Sequence, residues 1–178
     1  MAESLGAPPG RSVSWLLPDL AATARFGAAL AHSLPDPGPV PLVLYLEGEL
    51  GAGKTSLVRG LLAGLGHAGR VPSPTYTLVE PYLLDRFRVL HADLYRLRDP
   101  AELDDLGLAD ELAATDGQGR GSLLLAEWPG RGAGRLPGPD LILDLAMAGE
   151  GRTIRLSPRT DAGSRLLHEL QRAVPDGF

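Results

Sequence analysis

The chain has no cysteine among its 178 residues, which excludes disulfides and thiolate-bound metal. No apolar stretch approaches the roughly 20 residues needed to span a bilayer. Met1 to Gly10 also lack the basic region and apolar run of a secretory signal. A cytoplasmic protein without membrane contact is therefore expected. Basic charge is short as well: 17 Lys and Arg stand against 22 Asp and Glu, for a formal net charge of −5. Proteins that bind RNA unaided usually carry a basic face, because phosphate neutralisation supplies most of their affinity. A nucleic-acid role here is thus expected to be indirect or shared with a partner. Scarcest of all is lysine. Lys54 is the single one, and every other strongly basic side chain is arginine.

What is present is an ordinary globular composition, 44% apolar, in a chain of one-domain length. One domain over residues 1–178 is expected, with 1–10 flexible and 158–178 forming a C-terminal helix and tail. Ser12 to Leu17 reads as a strand, and Asp19 to Leu34 as a helix. Asp19 is its N-cap, and Leu20, Ala24, Ala28 and Ala31 share one face. Leu42 to Leu46 and Leu123 to Ala126 are apolar throughout, as strands covered on both faces are. Val79 to Leu84 and Phe87 to Ala92 flank the turn Asp85-Arg86. Pro100 to Leu112 reads as one helix capped by Asp99. Leu141 to Met147 and Thr153 to Leu156 form an antiparallel hairpin, and a last helix covers about Asp161 to Ala173. Strands alternating with helices predict an α/β sandwich with antiparallel additions to its sheet.

The lone lysine lies in Gly48-Glu49-Leu50-Gly51-Ala52-Gly53-Lys54-Thr55, which fits G-x-x-x-x-G-K-[ST] at every fixed position, between a predicted strand and a predicted helix. Glycines there let backbone N–H groups converge on phosphate oxygens, and the helix adds its positive N-terminus. A compact ammonium reaches β- and γ-phosphates where a planar guanidinium would not fit. Thr55 offers a hydroxyl to Mg²⁺ and Ser56 a donor to the α-phosphate. Asp93 and Glu127 end apolar strands at the edge where ligands of open α/β sheets gather. Either carboxylate could serve the metal while the other positions water. His91, two residues before Asp93 on the same strand face, either orients Asp93, touches the γ-phosphate region or is structural. Trp128 packs beside the nucleotide or in the core. Ser73 and Thr75, in the stiff Pro72–Thr77 segment, are positioned as a switch-like segment or a plain connection.

Gly48–Thr55, Ser73-Pro74-Thr75-Tyr76-Thr77, His91-Ala92-Asp93-Leu94-Tyr95-Arg96 and Glu127-Trp128-Pro129 resemble, in order and near-spacing, the TsaE family. These are the small P-loop ATPases of bacterial tRNA threonylcarbamoyladenosine biosynthesis. The likeness runs from about Leu16 to Leu156. It implies a P-loop NTPase three-layer sandwich with a mixed, mainly parallel central sheet. It also implies Mg²⁺-dependent ATP hydrolysis in the cytoplasm alongside two partners, TsaB and TsaD. TsaD is the transferase acting on adenosine 37 of tRNAs reading ANN codons; tRNA would be met only through that complex. On this resemblance Lys54, Asp93 and Glu127 are catalytic. Glu49 to Ser56, Trp128 and Arg152 bind ATP, and Thr55, Glu127 and Asp93 hold the metal. Two departures stand out: Gly130 follows Glu127-Trp128-Pro129, where many members carry an acidic or amide residue, and Asp116–Gly121 looks like an inserted loop. Two rival readings remain at the level of sequence. One is a small-molecule kinase, with Arg131 and Arg135 as its only lid candidates; the other is a binding module gated by nucleotide occupancy.

Overall fold

A computed structural model of the chain describes residues 10–72, 77–114, 117–132 and 134–174. Its strands are β1 (Val13–Leu17), β2 (Leu42–Glu47), β3 (Val79–Leu83), β4 (Phe87–Asp93), β5 (Gly121–Glu127), β6 (Leu141–Ala148) and β7 (Gly151–Pro158). Its helices are α1 (Leu20–His32), α2 (Lys54–Gly64), α3 (Glu102–Asp105), α4 (Leu108–Ala113) and α5 (Asp161–Ala173). The strands join one sheet in the order β1-β7-β6-β2-β5-β4-β3. The four central strands β6, β2, β5 and β4 run parallel, while β3, β7 and β1 are antiparallel to their neighbours.

The two apolar runs become β2 and β5, side by side in the middle, and each buries both faces. Leu44, Leu46, Leu123 and Leu125 join a core with Phe26 and Leu30 of α1, Leu57 and Leu61 of α2, and Leu166 and Leu170 of α5. On the reverse face Val43, Leu90, Leu124 and Ala126 pack with Leu103, Leu108 and Leu112 of α3 and α4. The three-layer α/β expectation holds, with one helical layer much thicker than the other.

Asp19 caps α1 as expected, its Oδ1 accepting from Ala22 N at 2.6 Å. The predicted buried stripe is different. Leu20 is 52% exposed, and Ala22, Phe26 and Leu30 are the residues turned to the core. Ala24, Ala28 and Ala31 lie against α2 instead, where small side chains permit a close crossing. A Cβ on Gly60 would sit 1.9 Å from Ala24 O, and one on Gly27 would sit 2.2 Å from Leu57 O. This contact fixes α2, and with it the loop at its N-terminus.

The single helix predicted over Pro100 to Leu112 is in fact two, because Gly107 between them takes φ 62°, a left-handed conformation that glycine adopts at little cost. Asp99 is not the N-cap: the first helix starts at Glu102, with Ala101 in the cap position and no side-chain cap. Asp99 closes a turn just before it, accepting from Ala101 N at 2.9 Å, while Glu102 Oε1 accepts from Asp99 N at 2.9 Å. The last helix begins at Thr160, whose Oγ1 accepts from Gly163 N and donates to Asp140. Asp140 also accepts from Val43 N at 2.8 Å, tying α5 to the entrance of β2. Among the described residues no helix is long and apolar enough to cross a membrane.

Candidate functional site

β2 ends at Glu47 and the chain turns at once into the glycine-rich loop. Gly48 takes φ 129°, and a Cβ there would meet Leu145 O at 2.2 Å, so the loop can lie against β6 only without a side chain. Gly53 takes φ 105° and offers no side-chain cap to α2. The amides of the helix's first turn are therefore left for an anion.

Lys54 is 4% exposed. Its ammonium donates to Gly48 O at 2.6 Å and Glu49 O at 2.9 Å, and lies 4.1 Å from the centroid of the Trp128 ring. Burial pushes its pKa below the usual lysine value, while the carboxylates of Glu127, Asp93 and Glu49 act in the opposite direction. The lysine is thus folded back over its own loop, between a carbonyl cradle and an aromatic face.

The parallel register pairs Asp93 with Glu127 at the ends of β4 and β5. Glu127 is 2% exposed. Thr55 Oγ1 donates to it, 3.1 Å from Oε1 and 3.3 Å from Oε2, and His91 Nε2 lies 2.8 Å from Oε1. His91 is fully buried, and its Nδ1 has no partner. Of the readings open for His91, orienting Asp93 is not what the structure shows: the ring crosses to the neighbouring strand. Asp93 accepts from Tyr95 N at 3.2 Å through Oδ1.

A cavity of about 480 Å³ gathers these groups. Its floor is Leu50, Gly51, Gly53, Lys54, Thr55 and Ser56, and its wall includes Asp93, Glu127 and Trp128. Glu49 and Ala52 contribute by shaping the loop, Ala52 N donating to Glu49 O at 3.1 Å. Arg152 is 5% exposed and packs on the loop: a Cβ on Gly53 would lie 3.2 Å from its Cδ and Nε. Its Nη2 lies 3.8 Å from Met147 Sδ, whereas Nε and Nη1 have no hydrogen-bond partner. Ser73 and Thr75 lie outside the described residues. Of the two lid candidates, Arg135 is paired with Asp104 and Arg131 stands 5.9 Å from the centroid of the Tyr95 ring.

Sequence reasoning assigned no role to three residues of this wall: Leu20, Tyr95 and Arg96. Tyr95 stacks 5.0 Å from Trp128 at 48°. Its signals were a place just past the end of β4 and membership of the His91–Arg96 motif, neither of which assigned it a role. Trp128 itself takes φ 58°, unusual for a bulky residue, with its N–H donating to Leu46 O at 3.3 Å. That backbone turn brings the indole back over Lys54.

The family described as threonylcarbamoyl adenosine biosynthesis protein TsaE matches residues 17–155. The chain belongs to the TsaE family. The Haemophilus influenzae TsaE, a tRNA threonylcarbamoyladenosine biosynthesis protein, is 40% identical over 88% of this chain and 96% of its own. The Bacillus subtilis TsaE is 36% identical over 82% of this chain and 85% of its own. The crystal structure of Bacillus subtilis YdiB superposes with a TM-score of 0.72 at 28% identity, covering 93% of this chain and 97% of the other. TsaE membership accounts for the shared sequence from the end of β1 into β7, which contains every site residue described above.

Proposed function

We propose that this chain, as one P-loop ATPase domain, is the ATP-binding and ATP-hydrolysing subunit that supports threonylcarbamoylation of adenosine 37 in tRNAs reading ANN codons. It would act in the cytoplasm with TsaB and TsaD and meet tRNA only through them. The observation that carries this reading is the convergence on one cavity of Lys54 and the Thr55–Glu127 pair. Kinship with the TsaE proteins named above supplies the pathway.

The donor set fits Mg²⁺. Thr55 and Glu127 present only oxygen, Asp93 stands in register with Glu127, and a carboxylate 2% exposed calls for a positive partner. Thr55 and Glu127 would hold the ion, which when bound neutralises charge on the β- and γ-phosphates. The chain's own residues do the rest. Lys54 exchanges its carbonyl cradle for phosphate oxygens, the loop amides bind the β-phosphate, and Trp128 excludes water above the lysine. Asp93, with one oxygen committed to Tyr95 N, orients the attacking water. Arg152, with two guanidinium nitrogens unpartnered beside Gly53, is poised to meet phosphate charge.

Reconstitution with TsaB and TsaD tests the reading, with ATP hydrolysis and tRNA modification both measured. The isolated chain is expected to turn over slowly and to accelerate on addition of the partners. Lys54→Ala is expected to abolish both hydrolysis and sustained modification. Unchanged modification by that variant would sink the proposal.

A further inference from the structure

The formal net charge of −5 conceals one hollow where positive charge stands without its opposite. A second cavity, of about 640 Å³, opens at the far end of α2. Arg59 of the helix lines it, with His67, Gly69, Arg70 and Val71 of the segment that follows, and it shares no residue with the nucleotide cavity. Its helical wall reaches Ala63, roughly 13 Å beyond Lys54 along the axis of α2. Among the described residues no carboxylate lines it.

The sequence builds this hollow from the helix outward. α2 is closed by its own backbone: Gly66, at φ 94°, donates through N to Ala63 O at 3.0 Å, and His67 N donates to Leu62 O at 2.9 Å. Those carbonyls, which would repel an anion at a helix C-terminus, are thereby occupied. Arg59 is anchored, its Nε donating to Val71 O at 3.0 Å, which leaves both Nη nitrogens without a partner among the described residues. The Arg70 guanidinium has none either, and the amides of Gly69 and Arg70 donate to no described acceptor. His67 walls the cavity, with its ring 5.0 Å from that of Tyr82 at 79° and its Nε2 buried and unpartnered. A Cβ on Gly69 would lie 2.8 Å from that Nε2, so the loop passes close beneath the ring because it carries no side chain there. Guanidinium donors in a fixed fork, with unpaired backbone amides beside them, suit a tetrahedral oxyanion.

We propose that Arg59, Arg70 and the amides of Gly69 and Arg70 form a second anion site, separate from the phosphate loop, that takes a phosphate group. That group comes either from free phosphate or from a phosphodiester of an RNA strand. Two guanidinium groups neutralise too few phosphates to hold RNA unaided, which agrees with RNA being met in the company of partners. The site stands whether or not ATP binds at Lys54.

Amide NMR titration of the full chain with inorganic phosphate tests this, with acetate at matched ionic strength as the control. The Gly69 and Arg70 amides are expected to shift saturably at about millimolar phosphate. They should do so equally in Lys54→Ala, which separates this site from the phosphate loop. Arg70→Ala breaks no contact of the folded chain and is expected to weaken the response by at least about tenfold, with the rest of the spectrum unchanged as the sign of an intact fold. A short single-stranded RNA distinguishes the sources. If a strand is the ligand, it moves the same amides at concentrations at least about tenfold lower than phosphate does, with a log–log salt slope of about −1.4 for two neutralised phosphates. If free phosphate is the ligand, RNA leaves them unmoved. A response to acetate as strong as that to phosphate overturns the site. So does a phosphate response confined to the Gly48–Ser56 loop, or one that Arg70→Ala leaves intact.

Discussion

Burial sets the character of two residues at the centre of the site. Lys54 is nearly inaccessible, and desolvation lowers its pKa from the ordinary 10.5 against the pull of three carboxylates. Phosphate at the ammonium stabilises the charged form, so the bound pKa lies above the free one. Affinity that depends on the proton is then complete below the free-state pKa and is lost as pH rises from there through the bound-state pKa. Mg²⁺–ATP affinity is expected to begin falling at a pH below 10.5. Calorimetric titrations across the alkaline range check this; a flat profile up to 10.5 would contradict it. His91 and Glu127, both buried and 2.8 Å apart, depend on each other. His91→Leu is expected to cost about 3 kcal/mol, because it strands a buried carboxylate. The double variant His91→Leu/Glu127→Leu should recover part of that loss. Denaturant unfolding of the four proteins measures the coupling, and simple additivity would dismiss the pair. The sequence placed His91 and Asp93 on one strand face but could not show that the histidine crosses to Glu127, because that contact depends on the register of two strands far apart in the chain.

At the scale of elements, helix propensity and packing oppose each other where α1 crosses α2. Gly60→Ala in an isolated helix would gain roughly 0.5–1 kcal/mol. Here the added methyl would lie 1.9 Å from Ala24 O, a backbone atom with no room to yield. The substitution is instead expected to destabilise by about 2 kcal/mol, as overpacking does, measurable by urea unfolding. A gain in stability would refute the close crossing. The same crossing explains why the stripe of α1 was legible only in part. Ala24, Ala28 and Ala31 were grouped correctly, but their partner is a glycine-bearing helix and not the sheet. β2 and β5 were legible because an apolar run longer than any alternating pattern is buried on both sides. α5 was legible because its N-cap and period agree. The break at Gly107 was not, since a glycine within a helical pattern announces neither a left-handed turn nor its absence.

At the scale of the whole molecule, alternation of strands and helices was enough to give the class of fold but not the order of strands, which no local pattern encodes. That order has a consequence for how the protein comes into being. β2, which carries the phosphate loop, lies between β5 and β6, strands that follow it only at Gly121–Glu127 and Leu141–Ala148. A growing chain has its lysine at residue 54 long before Glu127 emerges, and longer still before the strand against which Gly48 must rest. Non-local pairing of this kind is slow to close. The loop therefore leaves the ribosome as a bare motif, and it becomes a nucleotide site only after most of the remaining chain has been synthesised.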